Sequence, residues 1–174
     1  KTKQIVLYCK SGNLPAQILI KDRSGKNTKA TNGVSAFAFS PLQNSFAAIT
    51  TSGDLLLYNE SSGSTETVGK IGENQSVSRI VWDTAGAHFL FFYSNEKEGG
   101  NAAGICFYRL GDKKLFKLDT DAAREWPENR TLEGEPFSLA ASRDGKRVLF
   151  SVIGNLQRSK DANPDVEIWN ARDS

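Results

Sequence analysis

Apolar residues in this chain fall in short runs, and spacing of three and four residues is hard to find. The runs are rich in β-forming side chains, with Gly, Asn, Asp and Ser between them. They predict strands at residues 4–9 (QIVLYC), 17–21 (QILIK), 35–39 (SAFAF), 45–50 (SFAAIT), 54–59 (DLLLYN) and 77–82 (VSRIVW). Further strands follow at 88–93 (HFLFFY), 104–110 (GICFYRL), 114–118 (KLFKL), 137–141 (FSLAA), 147–152 (RVLFSV) and 165–170 (DVEIWN). The one helical candidate is short, residues 121–125, and Pro127 would stop it. The predicted class is all-β.

The runs repeat. Phe37-Ala38-Phe39-Ser40-Pro41 is followed by a polar turn and Phe46-Ala47-Ala48-Ile49. Ile80-Val81-Trp82-Asp83-Thr84-Ala85-Gly86 is followed by Phe89-Leu90-Phe91-Phe92, and Leu139-Ala140-Ala141-Ser142-Arg143-Asp144-Gly145 by Val148-Leu149-Phe150. A third strand ending near an aromatic comes next each time, at Tyr58, Tyr108 and Trp169. The turns begin at Ser40, Asp83 and Ser142, so the steps are 43 and 59 residues. A step of ~40–45 residues carrying four strands is the blade of a β-propeller. Two longer loops, 95–103 and 120–135, account for the wider step. Continuous apolar runs such as HFLFFY suit strands covered on both faces by neighbouring sheets. The Asp/Ser-x-x-Gly turn supplies a side-chain acceptor and a residue tolerant of positive φ.

A β-sandwich also has short strands at regular spacing, but it should alternate polar and apolar residues on its solvent faces. The propeller reading places blades at about residues 1–33, 34–73, 74–120 and 136–174 of one unit, 1–174. The first and last are incomplete: the runs at 4–9 and 17–21 plus 28–32 read as the last three strands of a blade, and the chain stops after DVEIWN. This reads as about half of a propeller, which closes with ~4–8 blades. Open ends should expose apolar faces and unpaired strand edges, above all at QIVLYC and DVEIWN.

Composition narrows the function classes. The 174 residues carry 22 Lys+Arg and 20 Asp+Glu, a formal charge of +2, ordinary for a folded globular chain. Residues 1–30 hold seven basic side chains and one acidic, but no aromatic residues interleave with Lys10, Lys21, Arg23, Lys26 and Lys29, so nucleic acid is not expected. No stretch approaches the ~18 apolar residues of a membrane-spanning helix, and no charged start with an apolar stretch reads as a signal peptide. There is no Met, which points to a processed or excised piece. Cys9 and Cys106 each sit in an apolar run and read as buried free thiols rather than a disulfide or a metal motif.

Chemistry-bearing motifs are sparse. Gly33-Val34-Ser35-Ala36 begins like a nucleophile elbow, but Phe37 stands where Gly is required. His88, the single histidine, heads an apolar run and reads as structural. Gly63, Gly69 and Lys70 miss the phosphate-loop spacing by one residue, and Ile71 follows instead of Ser or Thr. Asp161-Ala162-Asn163-Pro164-Asp165 offers alternate oxygen ligands, yet Val166 replaces the glycine of a calcium loop. Asn59, Asn74 and Asn129 open N-x-S/T triplets, which matter only on a eukaryotic secretory route. No catalytic, cofactor or metal residue is assigned.

Residues 142–151 (SRDGKRVLFS), with the later Pro164-Asp165-Val166-Glu167-Ile168-Trp169-Asn170, resemble the WD40-like repeat of TolB-type propellers. They are also similar to the N-terminal propellers of prolyl oligopeptidase family serine peptidases. The GH dipeptide of true WD40 blades is missing, and none of the third strands, ending at Asn59, Arg109 and Asn170, closes with their WD dipeptide. The peptidase resemblance implies a propeller that covers an α/β-hydrolase domain and filters substrate, with the Ser, Asp and His triad in that other domain. None of the triad maps onto these residues. The expectation is a non-catalytic propeller segment, without cofactor, that gates or selects peptide substrate. Its partner is the rest of its own polypeptide, another protein chain or a second copy. The alternative is a protein–protein interaction scaffold.

Overall fold

The computed structural model describes residues 5–10, 12, 16–21, 24–42, 45–72, 75–95, 104–120, 123, 126, 130–132, 139–154 and 166–170. Among them every regular element is a strand. In chain order these are β1 (Ile5–Cys9), β2 (Ala16–Lys21), β3 (Asn27–Phe39), β4 (Ser45–Thr50), β5 (Asp54–Asn59), β6 (Ser64–Lys70), β7 (Gln75–Val77) and β8 (Val81–Trp82). Then come β9 (His88–Asn95), β10 (Gly104–Arg109), β11 (Lys114–Asp119), β12 (Arg130–Leu132), β13 (Leu139–Ala141), β14 (Arg147–Gly154) and β15 (Val166–Asn170). All pairings are antiparallel. The first sheet runs β1-β2-β3-β4-β5-β6; the second runs β11-β10-β9-β7, with β8 also on β9; the third joins β12, β13 and β15 to β14.

Alternate residues of the middle strands enter different cores, which is why their sequences are apolar without interruption. In β9, Phe89, Phe91 and Tyr93 pack with Ala47, Ile49 and Leu55 of the first sheet. Leu90 and Phe92 face the other way, onto Leu139, Val148, Phe150 and Val152 of the third sheet. In β4, Ala47 and Ile49 join the former core while Phe46 and Ala48 join Ile18 and Ile20 of β2. The sheets therefore stack face on face in chain order through successive apolar layers. A two-layer sandwich covers only one face of each sheet; the arrangement is consistent with a partial β-propeller-like fold.

The first layer depends on a bend in β3. Tyr8 is in register with Ile18, and Ile18 with Thr31. Phe37 lies six residues beyond Thr31 along β3, which in a flat sheet is ~20 Å. The Tyr8 and Phe37 rings nevertheless stack with centroids 4.6 Å apart. Register shifts between Ala16/Ile18 and Val34/Ala36 mark where β3 turns, and Gly33 there has φ 66°. The bend lays the β1–β2 hairpin over β4 and β5. Where the sequence suggests separate strands at 28–32 and 35–39, the chain forms one strand of 13 residues, because the Asn32-Gly33 turn signal is absorbed as a bulge.

The three Asp/Ser turns share one construction. The N–H of residue Ser40, Asp83 or Ser142 bonds to the carbonyl of Ser45, His88 or Arg147 at 3.0, 3.1 and 2.9 Å. Asp83 Oδ1 accepts from the N–H groups of Ala87 and His88, both at 2.7 Å. Ser142 Oγ accepts from Arg147 N–H at 3.0 Å. Gly86 and Gly145 take φ 66° and 64°, as the sequence reading expects.

A second repeat was hidden in the sequence. The strand preceding each turn is interrupted at a similar point. It carries a bulge between Val34 and Ala36 against β4, splits into β7 and β8 against β9, and splits into β12 and β13 against β14. The expected strand at 77–82 is thus two short pieces. β6, β7 and β12 were not anticipated in full: β6 is Ser-Thr-Glu-Thr-Val-Gly-Lys, polar at an edge where packing asks for little.

Burial follows the layers. The apolar runs place Phe39, Phe46, Leu56, Trp82, Phe91, Phe107, Phe150 and Trp169 inside; of these, Phe46, Phe91, Phe107 and Phe150 are buried, and Leu56 and Trp82 are half-buried. Phe39 is 46% exposed, because the β1–β2 hairpin covers Phe37 and stops short of it. The Trp169 side chain lies outside the described residues. Leu7 and Tyr8 are exposed, as are Leu149 and Ile153 on the outer face of β14, while every residue of HFLFFY is covered. For DVEIWN, only the backbone of 166–170 is described. The helical candidate at 121–125 lies outside the described residues except for Ala123.

Cys9 is exposed on β1, correcting the expectation of two buried thiols: its run lies on a strand whose outer face has no cover. Cys106 is buried, and burial pushes its thiol up to about 12, with Lys117 offsetting part of the effect. A raised acid pKa means the folded chain keeps a proton that the unfolded chain releases. Stability from this thiol is complete below pH 9 and is lost as pH rises from 9 toward 12, at about 1.4 kcal/mol per unit. Urea unfolding of the native chain and Cys106→Ala at pH 8 and 10.5 should show the extra alkaline loss only in the native chain.

Candidate functional site

An open groove of ≈ 580 Å³ lies between β3 and the β7–β8 break. Phe37, Ala38 and Phe39 line one side, and Arg79, Ile80, Val81 and Trp82 the other. Its walls follow from the interrupted strands. Beyond Val34, β3 pairs with β4 on one edge and with no described strand on the other. β8 pairs with β9 alone. The Trp82 indole N–H donates to the Ala38 carbonyl at 3.1 Å and holds the two walls together. Trp82 rests in turn on Phe89, with ring centroids 4.9 Å apart.

Aromatic rings form a continuous rail along the opposite face of the first sheet, the one turned to the β1–β2 hairpin. Tyr8 stacks on Phe37 at 4.6 Å, Phe37 meets Phe39 at 5.9 Å, Phe39 meets Phe46 at 5.7 Å, and Phe46 stacks on Tyr58 at 4.8 Å. The rail runs from exposed Tyr8 and Phe39 into the core at Phe46 and Tyr58. Leu42, 64% exposed, continues the apolar surface just past the end of β3. Arg79 comes from the break between β7 and β8, where the chain leaves the ladder with β9. Its side chain is exposed and has no ion pair among the described residues.

Residues weighed in the sequence for chemistry lie elsewhere and do not converge. Ser35 Oγ donates to the Ile49 carbonyl at 3.0 Å within the sheet. His88 is buried against Phe107, with centroids 5.5 Å apart; its Nε2 is 3.4 Å from the Arg143 carbonyl and its Nδ1 has no partner. Gly69 and Lys70 are in strand β6 rather than a loop. Asn59 Oδ1 caps its own turn, accepting from Ser61 N–H at 2.8 Å. The Asp161–Asp165 stretch, Asn74 and Asn129 lie outside the described residues. Among the described residues no group of three or more His, Cys, Asp or Glu side chains gathers as a metal site.

No family model matches the chain, and no curated protein matches it. A solved structure does. It is the crystal structure of the tricorn protease, with TM-score 0.56 and 13% identity. The match covers 94% of this chain and 16% of that one. At that identity the likeness concerns fold alone, and nearly all of this chain takes part in it.

The groove was not named from the sequence. Its signals were present: an arginine set in an apolar inner run, VSRIVW, and an aromatic at Phe39 one residue before a turn. In sequence both are ordinary strand residues; the bend in β3 and the break at 78–80 bring them to one groove.

Proposed function

We propose that this chain is the non-catalytic propeller part of a peptidase-like enzyme, built from about four blades, and that it admits or selects peptide substrates. The observation that carries the reading is the likeness of 94% of the chain to part of the tricorn protease, a β-propeller-containing peptidase. The stacked sheets and the groove beside their inner strands support it. A groove of this size falls in the usual range of ligand sites, ~300–1,000 Å³.

A protein–protein scaffold is the second reading. The exposed Leu149 and Ile153 on the outer face of β14 favour it. To separate the two, the chain is mixed with a pool of unstructured peptides, and the retained peptides are weighed by mass spectrometry after gel filtration. The proposal expects peptides retained at unchanged mass. Cleavage that disappears in His88→Ala would contradict a non-catalytic role. An absence of retained peptide, with stoichiometric capture of a folded protein, would support the scaffold.

A further inference from the structure

From the groove's geometry we infer that it takes an extended peptide and that Arg79 selects a carboxylate on that peptide. The inference rests on the peptide-handling role proposed above and names the chemistry of its ligand. Three features converge. Phe37, Phe39 and Trp82 are among the lining residues, and the 46% exposure of Phe39 leaves ring surface for an apolar side chain at that end of β3. The second edges of β8 and of β3 beyond Val34 lack a described strand partner, so extended backbone has two ladders to join. Ala38 is the exception, since its carbonyl is held by Trp82.

Arg79 supplies the specificity. It is the one cation among the residues lining the groove and has no described ion pair, so its guanidinium fork is available to a carboxylate. A nucleic acid would need several phosphates neutralised along its length, and one arginine among aromatic and aliphatic groups does not provide that. A peptide carboxylate, from a chain end or an acidic side chain, matches one fork beside an apolar wall.

The test uses three fluorescein-labelled heptapeptides with the same Leu, Phe and Thr body: one with a free C-terminal carboxylate, one amidated, and one amidated with an internal Glu. Fluorescence anisotropy is followed as the 174-residue chain is added. The free-carboxylate peptide, the Glu peptide or both should bind at least tenfold tighter than the neutral one, and which of them does identifies the source of the carboxylate. Arg79→Gln should abolish that advantage and leave the neutral peptide within twofold, and Arg79→Lys should keep part of it. Phe39→Ser should weaken all three at least threefold. Both sites are exposed, so unchanged circular dichroism melts will show that the variants fold. If peptides bind but Arg79→Gln changes nothing, this inference is overturned and peptide handling stands. If no peptide binds the native chain, both fall. A labelled single-stranded oligonucleotide that competes for the groove would overturn it in favour of nucleic acid.

Discussion

Gly145→Ala should destabilise the chain by about 2–4 kcal/mol, against about 1 kcal/mol for Gly86→Ala. Both glycines occupy the same place in repeated turns, with φ 64° and 66°, so both substitutions carry the strain of a left-handed residue with a side chain. Their surroundings differ. A Cβ at Gly86 would meet Leu42, Pro41 and Ser40 at an ordinary 3.7 Å. A Cβ at Gly145 would lie 2.6 Å from His88 Cε1 and 2.7 Å from Nε2. That ring is buried and rests against Phe107, so it has little room to move. The clash falls on the contact between second and third sheets, where Arg109 also donates to the Gly145 carbonyl at 3.4 Å. Urea midpoints at constant slope will measure both losses. Equal losses at the two glycines would show that the turn of the third repeat does not pack on His88.

Phe91→Ala should cost about 3–5 kcal/mol, the range for truncating a buried phenylalanine. Phe91 is wholly covered, between the first and second sheets. Phe39→Ala should cost only about 1 kcal/mol, since the ring is 46% exposed and contributes mainly its edge contacts with Phe37 and Phe46. From the sequence the two look alike, each an aromatic within a β-rich run. Comparable losses would mean that Phe39 is covered in solution and that the groove beside it is closed.

That pair shows where sequence reasoning reaches its limit. The strands, the class and the turns at Asp83 and Ser142 were legible because they depend on local features: β-rich runs, an acceptor side chain, and glycine where φ is positive. The two-sided burial of β9 was legible too, since an uninterrupted apolar run leaves no face for water. Which residues lie beyond the edge of a covering sheet was not legible, because this depends on the bend of β3 and the reach of the β1–β2 hairpin. Phe39 was misplaced for that reason, and Cys9 because the outer face of β1 has no cover. The groove is illegible for a related reason: Arg79 is unexceptional in sequence and gains meaning only where the chain breaks from β9 between β7 and β8. The polar strand β6 was missed because nothing in its composition separates a solvated edge strand from a loop.

The central claim is that the second sheet is covered on both faces, as in a stacked, propeller-like chain. An alanine scan through Phe89, Leu90, Phe91 and Phe92, read by urea unfolding, tests it most directly. All four side chains are buried, two toward each neighbouring sheet. The account predicts that each substitution lowers stability by at least about 2 kcal/mol, with no alternation along the strand. Large losses at Phe89 and Phe91 with losses below about 0.5 kcal/mol at Leu90 and Phe92, or the reverse, would give the signature of a strand with one face in water and would contradict it.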